Sequence, residues 1–280
     1  MIPQTIAKRW RIGWRGRGDL PIPPVELREL VGPTDAAAFD NASGGPVFGE
    51  VDPGSYRFVV DFGCGCGRIA RQLAQQSERP ERYVGVDLHR EMIGWCNENL
   101  AVRVPGFEFS HHDVYNPGFN PDPALPRTAP IPVGSGEATL VVAWSVFTHL
   151  LQSQVEWYLS EIRRVLSDDG VVVSTWFLFD KAGFPMMQDF QNALYITEND
   201  LTNAVIFDRD WVLDVIHKHG LVVRSATPPE IRGFAWVLRL APARAGDESV
   251  TLPDDDAPVG RMPPPIGRPV VGVAETHPTR

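Results

Sequence analysis

The chain has 280 residues, 43% hydrophobic and 22% charged, the proportions of a globular protein long enough to bury a full core. Its net charge of -9 argues against a general nucleic-acid binder, which carries a basic footprint. No apolar stretch reaches bilayer-spanning length, the N-terminus has no apolar run after its basic residues, and Cys64, Cys66 and Cys96 are too few for a disulfide framework, so the expectation is a cytoplasmic protein without a membrane partner.

Residues 1–56 read as a helical and loop segment that caps a site. Within it, the basic run from Lys8 to Arg17 reads as solvated surface, and "PPVELRELVG" reads as a short helix opened by proline and closed by glycine. A regular alternation begins at residue 57. "YRFVVDFG", "RYVGVDL", "FEFSHHD", "ATLVVAWS" and "VVVSTWF" read as strands. "RIARQLAQQ", "HREMIGWCNENL" and "SQVEWYLSEIRRVL" read as helices at apolar 3.6 spacing. Strands that are apolar on both faces and separated by helices predict a mostly parallel sheet covered on both sides. After a further helix, "RDWVLDVIHKHG", the segments "LVVRSATPPEI" and "FAWVLRLA" follow one another with no helix between. They predict a C-terminal antiparallel hairpin, and the whole reads as an α/β, doubly wound, seven-stranded domain over residues 57–241. Residues 177–206, rich in aromatics and methionine, read as a lid or substrate insertion. Residues 242–280, with many prolines and three adjacent aspartates, read as a disordered tail.

The most informative stretch is "VVDFGCGCGR", residues 59–68. Gly63, Gly65 and Gly67 fall where the first strand turns into the first helix of the domain. Glycine there permits positive φ and close ligand approach, and the helix N-terminus offers free N–H groups. A nucleotide-type ligand is the natural occupant. A dinucleotide fingerprint would carry a third glycine at position 68, where this chain has Arg68, so a nicotinamide-dependent oxidoreductase is the weaker alternative. Asp87 ends the second strand and suits a ribose in either case.

"VVDFGCGCGR", "VGVDLHREM", "HHDV", "VVAWSVFTHL" and "IRRVLSDDGVVVST" resemble, in order, the successive motifs of class I S-adenosylmethionine-dependent methyltransferases. The resemblance implies S-adenosyl-L-methionine as cofactor and assigns roles to residues. Asp61 would order the loop and face the cofactor's amino group, directly or through water. Gly63, Cys64, Gly65 and Gly67 would line the methionine part. Asp87 would hold the ribose, with Leu88 against the adenine. Asp113 would accept from the adenine amino group, and Val114 would offer its backbone. Trp144 and Ser145 would flank the reacting methyl. A fold kept only for binding or assembly remains an alternative, against which the intact loop speaks.

Methyl transfer to a hydroxyl needs a base, and neutral histidine titrates in the right range. His149, one turn beyond Trp144 and Ser145, is the candidate, with Asp180 as a second base or substrate anchor. The expected acceptor is a small molecule, a sugar or a secondary metabolite, with no nucleic-acid partner. No metal is expected. Cys64 and Cys66 lack further ligands, and His111 and His112 point to opposite faces of their strand. The sequence carries no signal of oligomeric state.

Overall fold

The computed structural model describes residues 20–32 and 34–258; the Lys8–Arg17 run lies outside the described residues. The first helix, α1 (Val25–Leu30), begins after Pro24. The alternation then runs β1 (Phe58–Phe62), α2 (Arg68–Gln75), β2 (Arg82–Asp87), α3 (Arg90–Cys96), β3 (Phe107–His111), β4 (Ala138–Ala143), α4 (Gln152–Val165) and β5 (Leu166–Phe179). These five strands pair in parallel in the order β3-β2-β1-β4-β5. Every residue of β1 and β4 is buried, Asp61 and Thr139 included, as expected of largely apolar strands with helices on both faces. The strand order reverses between β1 and β4. That switch opens a crevice at the carboxyl ends of the strands, where open α/β sheets hold their ligands.

The chain continues with β6 (Ala193–Tyr195), β7 (Val205–Asp208), α5 (Arg209–Lys218), β8 (Leu221–Thr227) and β9 (Trp236–Pro242). As expected, β8 and β9 form the antiparallel hairpin, and β9 pairs antiparallel with β5 from Val172 to Trp176. Among the described residues the sheet has nine strands, two more than expected. Of the extra two, β6 lies within 177–206 and β7 begins at its end; β7 runs parallel to Phe177–Phe179 and β6 antiparallel to β7. Too short to read as strands alone, they are ordered by the exposed edge of β5 and by burial of Val205 and Phe207.

Apolar side chains pack on both faces of the sheet. Phe147 stacks on Trp176 at 4.0 Å between ring centres, and Phe207 meets Trp176 edge-on. These rings are core rather than site walls. The expected tail also differs from the structure. Pro242 ends β9, and residues 243–258 lie against the domain. Leu252 is buried in the core, Val250 N–H donates to Val223, and Arg209 donates to the carbonyls of Leu252 and Pro253. Lone apolar residues such as Leu252 carry no period in the sequence, so their docking is set by the groove they meet. Residues 259–280 lie outside the described residues.

Candidate functional site

A cavity of about 460 Å³ opens at the β1/β4 switch point, within the range of small-molecule sites. Its floor is the glycine loop. Gly63, Gly65 and Gly67 have φ of 85°, 54° and 82°, a region costly for other residues. Their lack of side chains serves the protein as well as any ligand. A Cβ at Gly63 would strike Val146, one at Gly65 would strike Val31, and one at Gly67 would strike Leu100. The loop is tied down by Gly63 and Cys64 N–H groups donating to Val86 O, and by Gly65 N–H donating to Asp87 Oδ2 at 2.8 Å. It is thus shaped before any ligand arrives. Gly63, Cys64 and Gly65 line the cavity, whereas Gly67 caps α2 and does not.

Asp87 also lines the cavity. Its Oδ1 accepts from His89 N–H at 2.8 Å, and burial raises its pKa against the pull of the two amide donors. Each carboxylate oxygen keeps acceptor capacity for a ligand hydroxyl. Asp61 does not line the cavity. It lies beneath the loop at 0% exposure, with Oδ2 accepting from Tyr83 O–H at 2.8 Å and Oδ1 without a hydrogen-bond partner. Burial pushes its pKa up to about 7, opposed by the Tyr83 hydrogen bond and the charge of Arg68.

The folded chain keeps this proton where the unfolded chain has released it. Asp61 therefore costs growing stability as pH rises from its ordinary 3.8 to about 7, and a constant amount above that. Asp61→Asn, which keeps an oxygen for Tyr83, is expected to flatten this part of the curve. The Tm of the variant relative to the parent should climb across the window, and parallel profiles would take the slope away from Asp61.

Leu88, Val114, Trp144, Ser145 and His149 line the cavity. Val114 is already engaged on both sides, its N–H donating to His112 O and its carbonyl accepting from Asn120. Ser145 has φ 57°, a strained backbone for a residue with a side chain, and its N–H donates to Thr175 Oγ1 at 2.7 Å. His149 Nδ1 lies 3.1 Å from the Thr202 carbonyl oxygen. A carbonyl only accepts, so Nδ1 carries the hydrogen and Nε2 keeps its lone pair.

Two expected residues lie elsewhere. Asp113 is half exposed at the end of β3, taking a hydrogen bond from Asn120 and standing 3.8 Å from Arg90 and His111. Asp180 is exposed and accepts from Ala182 N–H two residues on, capping its own turn. No residue of 177–206 lines the cavity, and Phe184, Met186 and Phe190 face outward. The insertion reaches the site through Thr202 alone among these contacts, orienting His149 rather than forming a wall. The turn that presents Thr202 is organised by Asp200, whose Oδ1 accepts from the Thr202 N–H and hydroxyl.

Several lining residues carry no local signal in the sequence. Gln154 and Tyr158 sit one turn apart on α4, and Tyr158 O–H lies 2.8 Å from His112 Nε2. Burial lowers His112 to about 4, so the ring is neutral. Arg127, Tyr115 and Asn116 come from the long loop between β3 and β4, and Glu29 to Gly32 from α1 and its end. Arg68, noted only as a missing glycine, lines the cavity at the start of α2, its pKa lowered by burial.

Residues 59–170, from β1 into β5, match the family model described as a methyltransferase domain. Among solved structures, a SAM-dependent methyltransferase from Leishmania major is similar at TM-score 0.54 and 11% identity, over 78% of this chain and 78% of that one. Others are SAM-dependent methyltransferases from Methanosarcina mazei (TM-score 0.47, 14% identity, 66% of this chain and 92% of that one) and Corynebacterium glutamicum (0.43, 19%, 72% and 91%). No helix among the described residues is long and apolar enough to cross a membrane.

Proposed function

We propose that the chain is a class I S-adenosylmethionine-dependent methyltransferase and that it methylates a hydroxyl of a small molecule, a sugar or a secondary metabolite. The residues present suit the cofactor. Asp61 Oδ1 is a buried acceptor without a hydrogen-bond partner beneath the loop, and Gly63 and Gly65 leave bare backbone above it. Asp87 would take the ribose hydroxyls and Leu88 would lie along the base. Arg68 would offer its charge to the carboxylate of the methionine part. When bound, S-adenosylmethionine supplies an electrophilic methyl on a positively charged sulfur.

The observation that carries an oxygen acceptor is the fixed tautomer of His149. With Nδ1–H spent on the Thr202 carbonyl, Nε2 of the neutral ring would accept the proton of an acceptor hydroxyl. Trp144 and the strained Ser145 backbone at the end of β4 would shape the passage between acceptor and methyl. Tyr158 and His112 would hydrogen-bond the remainder of the acceptor. An acceptor already reactive toward an activated methyl needs alignment and a dry site more than further activation. The test is product analysis: with methyl-labelled cofactor and a panel of hydroxylated small molecules, label is expected as a new methoxy group. Label on nitrogen, carbon or polypeptide overturns the reading.

A further inference from the structure

The cavity has two ends of different charge. The acids that line it, Glu29 and Asp87, belong together with Arg68 to the end built on the glycine loop, where Val31 packs on Gly65 and Asp87 ties the same residue. The other end, toward α4, is lined by His149, Gln154, Tyr158 and His112, with no carboxylate, and it carries the cation of Arg127. Within the described residues no acid stands within ion-pair distance of that guanidinium, which instead lies 4.3 Å over the ring of Tyr115.

Arg127 belongs to a long loop, yet it is held on both sides. Tyr115 N–H donates to Pro126 O at 2.8 Å, and Gln154 Nε2 donates to Arg127 O at 3.0 Å. Further along, Ile131 N–H donates to Glu161, and Arg164 donates to the carbonyls of Ile131 and Val133, fixing the loop on α4. A guanidinium stacked on an aromatic face and anchored through its backbone loses little freedom on binding an anion, and its planar fork matches a carboxylate or phosphate. An unpaired cation at the rim of a site draws an anionic ligand, and placing one where the acceptor enters selects among acceptors.

We propose that Arg127, held over the Tyr115 ring, selects an acceptor bearing an anionic group, a carboxylate or a phosphate, while the acceptor's hydroxyl meets His149. This rests on the reading of the site as one for a small hydroxylated acceptor.

The test uses the full chain saturated with S-adenosylhomocysteine and two matched pairs of probes, 4-hydroxybenzoate against 4-hydroxybenzamide and phenyl phosphate against phenol, titrated by calorimetry. In at least one pair the anion is expected to bind at least tenfold more tightly, and the pair that does so tells carboxylate from phosphate. Arg127→Ala should erase that preference, while affinity for S-adenosylhomocysteine, measured alone, stays unchanged. Equal binding within both pairs, or a preference that survives in Arg127→Ala, overturns the inference and leaves the small-molecule reading standing. No probe bound at all, with S-adenosylhomocysteine still bound, overturns both together.

Discussion

Replacing His149 by alanine is expected to lower kcat by about 10²- to 10⁴-fold while leaving S-adenosylmethionine affinity nearly unchanged. The range is that of a positioned general base. The separation of rate from affinity follows from geometry, because His149 belongs to the turn after β4, whereas the cofactor is to be held by the glycine loop and the end of β2. His149→Asn can still donate to the Thr202 carbonyl but cannot take a proton, so it should not restore the rate. An unchanged kcat would make His149 a packing residue. A joint fall of rate and cofactor affinity would make it a shaper of the cavity and leave the base unassigned.

Arg71→Ala is expected to cost about 3 kcal/mol of stability and to weaken cofactor binding together with it. Arg71 lies on α2, away from the cavity, with 3% of its side chain exposed. It donates to the carbonyls of Leu20 at 2.9 Å and Phe39 at 2.8 Å, and pairs with Asp40, whose carboxyl it holds below the usual range. One side chain thus clasps two points of the N-terminal segment, Leu20 and Phe39–Asp40, to the domain. Between those points the segment sets Val31 on Gly65 and supplies Glu29 to Gly32 to the cavity. Removing the guanidinium leaves buried carbonyls without their donor, and Phe39, fully buried against Cys66 and Met92, loses its tether. Arg71→Lys should recover only part, since one ammonium cannot span these acceptors. Urea unfolding and a titration with S-adenosylhomocysteine on the same samples check both effects. Lower stability with unchanged affinity would show that the segment supports the fold but not the site.

The corrections follow one physical division. The order of strands and helices, the loop at residues 63–67, the placement of Asp87 and the terminal hairpin were legible because each is written in local terms. Period, turn glycines and chain order suffice for them. Even so, glycine says only that no side chain fits. The structure decided that Val146, Val31 and Leu100 fill the space beside the three glycines. The family resemblance placed Asp113 at the adenine, and Asp180 was a candidate second base or substrate anchor, yet each is occupied elsewhere, by Asn120 and by its own turn. What sequence could not yield is whatever depends on chain segments meeting at a distance. Arg127 gains meaning from Gln154 and Tyr115, His149 from Thr202 some fifty residues on, and Leu252 from the core it reaches. Such contacts leave no period in the sequence, because long loops and lone side chains are ordered by the surfaces they land on, and those surfaces exist only once the sheet has formed.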